Sequence, residues 1–326
     1  QLRAPTADAG ARAARASAAS WAILACFETA LPRLAREIHG ALPAAADGDP
    51  AELRGDVLRA RAAVARADGD LETQLACQED AARRFEESGN LREMCNLRVA
   101  VGRARQLLGM HQRSLGPLRE ARAASRRLGL HHVAAVAEVH LAAAHLTEDA
   151  LDEARGACDR AIEAFTRHGN RRLAGLARVT RCRVATAMLD LDRAVVEGER
   201  AIQLLEPDPA DQALAFACAA ETHLSLRDVV GALSLSERAV TLLGTTEVVC
   251  LEDAFVHLVH VDALTLAERY DAARAVVSLA HTRLMARAGR IRTAALRESY
   301  LTGIRDHARV VTLFGQGSSM VESTQF

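Results

Sequence analysis

Residues 151–170 read LDEARGACDRAIEAFTRHGN, and two alanines in this stretch, Ala154 and Ala161, recur along the chain. The residue equivalent to Ala161 returns in steps of 40, 40, 40, 38 and 41 residues. Those positions are Ala81, Ala121, Ala161, Ala201, Ala239 and Ala280. The alanine seven positions earlier is also kept in Ala194, Ala232 and Ala273, whereas the first two copies carry Gln74 and Ser114. A fixed period in this range predicts an array of stacked helices.

The composition supports an all-α fold. Half of the 326 residues are hydrophobic but only 3% are aromatic, and alanine, leucine and valine supply most of the apolar content. Small aliphatic residues suit helices that approach closely, whereas sheets draw more on aromatic and β-branched residues. Alanines seven positions apart lie on one face of a helix, where a larger side chain would overpack the neighbouring helix.

The charge balance excludes several classes of function. The formal net charge is −1, from 41 basic and 42 acidic residues, so no overall field favours nucleic acid or membranes. Every basic residue apart from histidine is an arginine. A chain without lysine has no Walker A loop, no kinase-type lysine and no Schiff-base nucleophile.

Other sequence features favour a cytoplasmic chain. The seven cysteines are widely spaced without a C-x-x-C pair, which we interpret as reduced and structural. No apolar run reaches the ~18 residues of a membrane span, and no signal peptide is recognisable. Because the chain begins at Gln1, we expect it to be a fragment.

Turn signals divide the chain into helix pairs. Glycine and asparagine in Ser88-Gly89-Asn90 and His168-Gly169-Asn170, for example, tolerate the left-handed conformation that ends a helix. The predicted pairs are 51–67 with 70–88, 90–108 with 111–128, 131–147 with 150–168, 170–188 with 191–206, 210–226 with 229–243, and 247–267 with 270–288.

The segments outside these pairs complete the predicted organisation. Residues 1–50 would hold an N-terminal helix from about 13 to 39, ended or kinked at Pro32, and then a loop. They are either a degenerate repeat or the remnant of an upstream domain. Repeats would fill 51–288. A capping helix at 293–312 would lie within 289–314, and 315–326 would be disordered.

The spacing of small residues resembles the tetratricopeptide repeat. Gly102, Ala142 and Ala220 stand at the small position of the first helix, but the unit is longer than the usual 34 residues. The resemblance implies a right-handed superhelical solenoid of about six long tetratricopeptide-like helix pairs, with an N-terminal helix and a C-terminal cap.

Four longer phrases resemble the C-terminal repeat region of myxobacterial-type serine/threonine kinase–ATPase regulators. They are RRFEESGNLREMCNLRVAVGRA (83–104), RLGLHHVAAVAEVHLA (127–142), EAFTRHGNRRLAGLARV (163–179) and LRESYLTGIRDHAR (296–309). The resemblance spans about 60–314. It implies a regulatory role, but none of the kinase or ATPase motifs occurs in this chain, so neither activity transfers to it.

The tetratricopeptide register also implies a concave groove lined by the first helix of each pair. The groove would be basic at its N-terminal end, apolar in the middle and acidic at its C-terminal end. Its candidate partner-binding residues are Arg59, Arg66, Asn96, Arg103, Gln106, Val136, Val139, Leu146, Arg183, Glu221 and Asp262. The arginines would bind a carboxylate or phosphate of a peptide, unless they are ordinary solvated surface.

Histidines and acid pairs provide no stronger candidate for chemistry. His257 and His260 are three positions apart, and His145 shares its repeat position with His223, so we interpret them as packed between helices rather than as metal ligands. No hydrolase motif occurs, and no pair of carboxylates is singled out by its spacing. We therefore expect no metal site, no cofactor and no catalytic residues.

The sequence thus favours a non-catalytic interaction or sensory scaffold from a bacterial signalling protein of the kinase/ATPase type. It would bind a peptide or a protein, including another part of its own chain, with no nucleic acid or membrane involved. The alternative is a solenoid of an ATPase-type transcription regulator that senses a small molecule in its lumen. An enzyme ranks third, because no catalytic set is present.

Overall fold

The chain folds as a solenoid of paired helices. The computed structural model describes residues 7–28, 32–42, 49–245 and 252–323; within them there are sixteen helices and no strand. The first two are α1 (Ala7–Glu28) and α2 (Pro32–Gly40). The six pairs are α3 (Ala51–Ala67) with α4 (Leu71–Glu87), α5 (Leu91–Leu107) with α6 (His111–Arg127), α7 (His131–Thr147) with α8 (Leu151–Arg167), α9 (Arg171–Ala187) with α10 (Leu191–Leu204), α11 (Pro209–Ser225) with α12 (Val229–Thr245), and α13 (Asp253–Leu266) with α14 (Tyr270–Ala288). Helices α15 (Ala294–Thr302) and α16 (Arg305–Ser323) follow.

Local signals set the helix boundaries. Gly89, Gly129 and Gly169 each adopt a positive φ of 69–76° and end the second helix of a pair. Asn90 and Asn170 then begin the next helix by accepting a hydrogen bond from the backbone N–H three residues later. The helix pairs predicted from sequence are confirmed. Part of the predicted 247–267 helix, residues 247–251, lies outside the described residues.

The repeating alanines pack where the helices approach most closely. Ala81, Ala121, Ala161, Ala201 and Ala239 are fully buried, and Ala280 is 3% exposed. Gln74 and Ser114, which replace the earlier alanine in the first two pairs, are also buried. The small position of the first helix is equally tight, because a Cβ at Gly102 would overlap the side chain of Leu118. The 40-residue period therefore corresponds to one helix pair.

The N-terminal segment differs from the expected helix at 13–39. It forms two helices, and Pro32 begins the second. Proline suits the first turn of a helix, because its missing N–H would have no helical acceptor there. Helix α1 packs on α2 and on α3, so that Ser20 of α1 donates a 2.9 Å hydrogen bond to the carbonyl of Asp56.

The C-terminal cap was predicted as one helix, and this was wrong. The chain breaks between α15 and α16, at Gly303 and Ile304. The backbone of Gly303 lies so close to the turn after α5 that a Cβ would stand 2.7 Å from the carbonyl oxygen of Gly109. This close approach requires the glycine and bends the chain.

The tail from residue 315 also differs from the expected disorder, because α16 continues to Ser323. Val310 and His307 anchor this helix by burying their side chains. Once a helix is anchored, each further residue adds a hydrogen bond at little cost, so the helix propagates beyond its packed part. Residues 324–326 lie outside the described residues.

The C-terminal helices close the solenoid onto its first and second helix pairs. The carboxylate of Glu72, at the start of α4, accepts hydrogen bonds from the backbone N–H of Arg292 (2.8 Å) and the hydroxyl of Thr293 (2.7 Å). Arg290 donates to the carbonyl of Asp68. An apolar cluster spans the same contact, and its members are Leu71, Leu75, Val101, Ala104, Leu108, Ala254, Leu258, Ala280, Leu284, Ala288, Ile291, Tyr300 and Val310. Helices more than 200 residues apart in sequence therefore share one core.

The cysteines and the central histidines are packing residues in this fold. Six cysteines are buried, and Cys250 lies outside the described residues. His257 and His260 are also buried; Nδ1 of His257 contacts the carbonyl oxygen of Asp253 at 2.7 Å, and Nδ1 of His260 contacts the hydroxyl of Ser236 at 3.0 Å. In the described part of the chain, no three His, Cys, Asp or Glu side chains are grouped to hold a metal ion. No helix there is long and apolar enough to cross a membrane.

Candidate functional site

The first helices of the pairs stack on one another and form the inner wall of the solenoid. Contacts run from α5 to α7, from α7 to α9, from α9 to α11 and from α11 to α13. Equivalent residues of successive first helices form columns along this wall. One column contains Arg103, Ala143, Arg183, Glu221 and Asp262. We call the space inside this wall the lumen.

Arg59 does not present its guanidinium to the lumen, contrary to the expectation. It is 6% exposed and pairs with Asp56 at 2.7 Å and with Glu93 at 2.9 Å. Its guanidinium also lies 4.0 Å from the ring centroid of Trp21. Because α1 covers this end of α3, Arg59 holds α1, α3 and α5 together, and its charge is already paired with two carboxylates.

The apolar middle of the predicted groove lies half-buried. Val136 and Val139 pack against the cluster around Phe165, and Leu146 packs against the cluster around Cys158. Each keeps part of its surface accessible. These three side chains therefore form an apolar strip on α7, which is held in place by packing on one side and remains partly accessible to solvent on the other.

Two polar residues of the predicted groove already make contacts on α5 and α7. Gln106 donates a 2.7 Å hydrogen bond to the carbonyl of His140, and Asn96 donates to Glu93 at 3.3 Å. Burial, and then the charge of Arg103, lower the pKa of His140 to about 3. His140 is thus a neutral ring near neutral pH.

The acidic end of the groove is paired within the chain. Arg183 lies 3.6 Å from Glu221 and stacks 4.1 Å from the ring centroid of Phe255. Asp262 accepts two hydrogen bonds from Arg309 of α16, one of them 2.8 Å long. Burial raises the pKa of Glu221, against the opposing effect of Arg183. The C-terminal helix therefore supplies a cation to a position that the sequence assigned to a partner.

A second charged cluster lies where distant helices meet inside the solenoid. Arg103 of α5 is 3.8 Å from Glu252, which immediately precedes α13. Arg172 of α9 pairs with Asp211 of α11 at 2.6 Å, although that contact lacks hydrogen-bond geometry, and with Asp208 at 3.2 Å. Burial raises the pKa of Asp211 to about 6. We call Arg66, Arg103, Arg172, Asp208, Asp211 and Glu252 the inner charge cluster.

Arg66 differs from the other arginines of this cluster. Its side chain makes no hydrogen bond and no ion pair with any described residue, and it keeps solvent access. Desolvation lowers the pKa of Arg66, and the charges of Arg103 and Arg172 lower it further, whereas Glu252 and Asp211 raise it. Arg66 is therefore an exposed cation that is influenced by both the arginines and the carboxylates of the cluster.

The register used for the sequence prediction missed much of this cluster. Arg172 and Asp211 lie in the first turns of their helices, and Glu252 precedes its helix, outside the groove positions of one repeat. Arg309, the partner of Asp262, belongs to α16, which is not part of a pair. Contacts between helix pairs bring these groups together, either between neighbouring pairs, as for Arg172 and Asp211, or between distant ones, as for Arg103 and Glu252.

Three solved structures resemble this chain. The alignment with NprR in complex with its cognate peptide NprX has a TM-score of 0.60 at 12% identity and covers 95% of this chain and 89% of that chain. A Rap protein complexed with Competence and Sporulation Factor gives 0.57 at 12% identity, with 94% and 99% covered. BtubC from P. vanneervenii gives 0.49 at 18% identity, with 74% and 92% covered. No protein-family model matches the sequence, and no curated protein matches it. NprR and Rap thus show that this chain shares their helical-repeat fold.

Proposed function

We propose that this chain is a non-catalytic scaffold that binds an extended peptide, or a segment of a partner protein, in its lumen. The apolar strip of Val136, Val139 and Leu146 carries the proposal, because it lies on the same inner wall as the inner charge cluster and the charged column that contains Glu221 and Asp262. An extended segment can present both apolar side chains and charged groups to such a wall. A packed inner wall would also bind with little loss of its own entropy.

The fold likeness supports the same reading. The NprR structure contains its cognate peptide NprX, and the Rap structure contains Competence and Sporulation Factor. This chain aligns with them over more than nine-tenths of its length. A shared fold does not by itself establish a shared function. The proposal is therefore supported by the fold likeness together with the apolar and charged surface of the lumen.

The finer proposal is that the chain is the regulatory C-terminal region of a bacterial signalling protein of the kinase/ATPase type. It rests on the four phrases that resemble such regulators. In this role, ligand binding would change how successive pairs are stacked, since each pair contacts mainly its neighbours. The link between Arg309 and Asp262 is one intramolecular contact that such a change would alter.

A small-molecule sensor is the second candidate. The partial burial of His140 and Asp211 favours it, because a compact polar ligand would fit among such groups more readily than a long chain. A thermal-shift screen separates the two candidates. Metabolites would raise the melting temperature of a small-molecule sensor, whereas a peptide receptor would respond only to extended chains.

Affinity selection from a mixture of random octapeptides tests the main proposal. The bound peptides would be identified by mass spectrometry with wild type, Ala143→Trp and Ala123→Trp. Ala143 lies in the lumen column between Arg103 and Arg183, whereas Ala123 is exposed on α6. We expect wild type and Ala123→Trp to retain the same peptides.

Ala143→Trp should bind those peptides at least tenfold more weakly, because the indole would fill the lumen beside the apolar strip. Circular dichroism would check that both variants keep their helical content. Retention of no octapeptide by wild type, or equal retention by Ala143→Trp, would contradict binding in the lumen.

A further inference from the structure

Three arginines share one buried carboxylate in the outer layer of the solenoid. Glu138 of α7 is 2% exposed and extends between the second helices α6 and α8. Arg126 of α6 donates to it at 2.7 Å, and Arg160 of α8 donates two hydrogen bonds of 3.0 and 3.1 Å. Arg122 of α6 lies 3.6 Å from the same carboxylate. One negative charge is therefore shared by three positive charges.

The equivalent positions in the neighbouring pairs are better balanced. Arg98 of α5 pairs with one carboxylate of α4 at 3.0 Å and with one of α6 at 3.5 Å. Arg178 of α9 pairs with a carboxylate of α10 at 2.5 Å. At these two positions the arginine has at least one carboxylate to itself or shares it with one other arginine. The excess of arginine is thus a property of the space between α6 and α8.

We call the space between α6 and α8 the outer groove. On α6 its arginines are three and four positions apart and share one face, and on α8 its two charged residues are seven positions apart. Half-buried His145 of α7 lies close to charged residues of both helices. The charged members of the outer groove are Arg119, Arg122, Arg126, Glu138, Glu153 and Arg160. Four arginines against two glutamates give the outer groove a net charge of +2.

The remaining acidic residues of these helices do not cancel this charge. Glu120 of α6 is paired with an arginine of α5. Glu148 and Asp149 lie in the turn at the end of the groove, where Gln112 donates to Glu148. The other acidic residues of α8 each pair with a further arginine: Asp152 with Arg155, Asp159 with Arg181, and Glu163 with Arg167.

The arginines of the outer groove retain donors for a ligand. Arg119 and Arg122 make no hydrogen bond with a described residue, and Arg126 uses one of its five N–H groups. A phosphate monoester carries a charge of about −1.5 to −2 at neutral pH and three strong acceptor oxygens. It therefore matches both the charge and the three arginines of α6, whereas one carboxylate would leave a positive charge unbalanced.

The groove is also built to hold its arginines in place and to stay open. Glu138 fixes the guanidinium groups of Arg126 and Arg160 before any ligand binds, which reduces the entropy lost on binding. A Cβ at Gly156 would stand 3.2 Å from Nη1 of Arg160, so the glycine makes room for this guanidinium. Burial, and then the charge of Arg119, lower the pKa of His145, so its ring is neutral near neutral pH.

We propose that the outer groove binds a phosphate group carried by a phosphorylated side chain of a partner protein. Arg119, Arg122 and Arg126 bind the phosphate oxygens, and Glu138 positions Arg126. An open groove between two helices lets the partner chain continue on both sides of the phosphorylated residue. The net charge of −1 of the whole chain disfavours a long polyanion such as nucleic acid. This site goes beyond the proposed function, because it lies outside the lumen.

The test uses octapeptide mixtures with one fixed central residue, which is phosphoserine, glutamate or serine. Dissociation constants are measured by fluorescence anisotropy at physiological ionic strength, and inorganic phosphate is added as a competitor. The proteins are wild type, Arg119→Gln/Arg122→Gln, Arg119→Lys/Arg122→Lys, Arg113→Gln/Arg127→Gln and Ala143→Trp. Arg113→Gln/Arg127→Gln is the matched control, because it removes two exposed arginines of the same helix that make no ion pair with a described residue.

Wild type should bind the phosphoserine mixture at least tenfold more tightly than the serine mixture, with the glutamate mixture between them. Arg119→Gln/Arg122→Gln should weaken binding of the phosphoserine mixture at least tenfold and leave the serine mixture unchanged. Circular dichroism would confirm its fold, which should persist because Arg126 and Arg160 still pair with Glu138. The lysine variant should retain part of the affinity, since it keeps the charge but not the planar donors. The control should bind like wild type.

Several results would overturn the phosphate site. Equal binding of the phosphoserine and serine mixtures, or an equal loss of affinity in the control, would show that no specific site exists. Inorganic phosphate that binds as tightly as the phosphoserine mixture would contradict a partner segment as the ligand.

Ala143→Trp separates this site from the proposed function. It should keep wild-type affinity for the phosphoserine mixture, and a loss would place the phosphate in the lumen and overturn the outer site. Phosphoserine binding without any binding in the lumen would support the outer site and contradict the proposed function.

Discussion

At the scale of single residues, what matters is whether a charged side chain inside the solenoid already has a partner. Arg59 and Asp262 look like binding residues in the sequence, but Glu93 and Arg309 already neutralise them. Arg66 lies on α3 like Arg59, but it has no such partner among the described residues. Asp211 shows the opposite imbalance, since burial opposes its negative charge more strongly than Arg172 favours it.

Asp211 gives a pH-dependent prediction for stability. Its pKa is raised from 3.8 to about 6 in the folded chain, so the ionised form opposes folding. That cost is absent below the unfolded pKa and becomes complete as the pH rises through the folded pKa. Asp211→Asn should therefore match wild type near pH 4 and exceed it near pH 7 by on the order of 2 kcal/mol.

Urea unfolding followed by circular dichroism at several pH values measures this difference. Asp192→Asn is the control, because Asp192 also lies in the first turn of a helix but is exposed. The difference between Asp192→Asn and wild type should not change over the same pH range. A constant difference between Asp211→Asn and wild type would show that burial does not disfavour the charge of Asp211.

At the scale of the helix, the solenoid depends on small residues at the points of closest approach. Ala161 of α8 is fully buried in a cluster with Phe165 and Ala177 of α9. The second helix of one pair, α8, therefore packs tightly against the first helix of the next pair, α9, through these small side chains. The equivalent alanine is buried in each of the six pairs, so the alanine period of the sequence corresponds to the spacing of the helix pairs.

Ala161→Leu should destabilise the chain by about 1–3 kcal/mol, because three additional carbons would overpack this cluster. Ala123→Leu adds the same atoms at an exposed site on α6 and should change stability by less than about 0.5 kcal/mol. Urea unfolding of both variants provides the comparison. Equal stability of the two would mean that the alanine period does not mark the tight contacts.

At the scale of the whole molecule, the solenoid closes on itself. Glu72 accepts hydrogen bonds from the segment before α15, and the turn after α5 touches α15 itself. Each pair otherwise contacts its neighbours, so this closure fixes the distance between opposite walls of the lumen. It also brings Glu252 to Arg103. The contact between Arg103 and Glu252 in the inner charge cluster is therefore a consequence of closure, whereas Arg172 pairs with Asp208 and Asp211 across neighbouring helix pairs.

Gly109 tests the closure. A Cβ at this position would overlap the carbonyl oxygen of Ser299, whereas a Cβ at Gly89 would meet no atom within 4 Å. Both glycines have φ +76°, so both alanine variants carry the same backbone strain. Gly109→Ala should increase the radius of gyration in small-angle X-ray scattering, because the C-terminal helices must move away. Gly89→Ala should keep the radius of wild type; equal radii for both variants would contradict the closure.

The sequence by itself determined the all-α class, the helix pairs and, nearly to the residue, their boundaries. It could do so because capping residues such as Asn90 and the buried Ala161 act within one pair or between adjacent pairs, over distances that a 40-residue period spans. It also placed Arg66 and Arg103 on the first helices. It missed the break at Gly303, the burial of Arg59 under α1, and the carboxylates Asp211 and Glu252. Only the tertiary structure decided these, because each depends on how separate elements pack together. Helix α1 covers Arg59, the start of α11 meets Arg172 of α9, and closure of the solenoid brings Glu252 to Arg103 and Gly303 to the turn after α5.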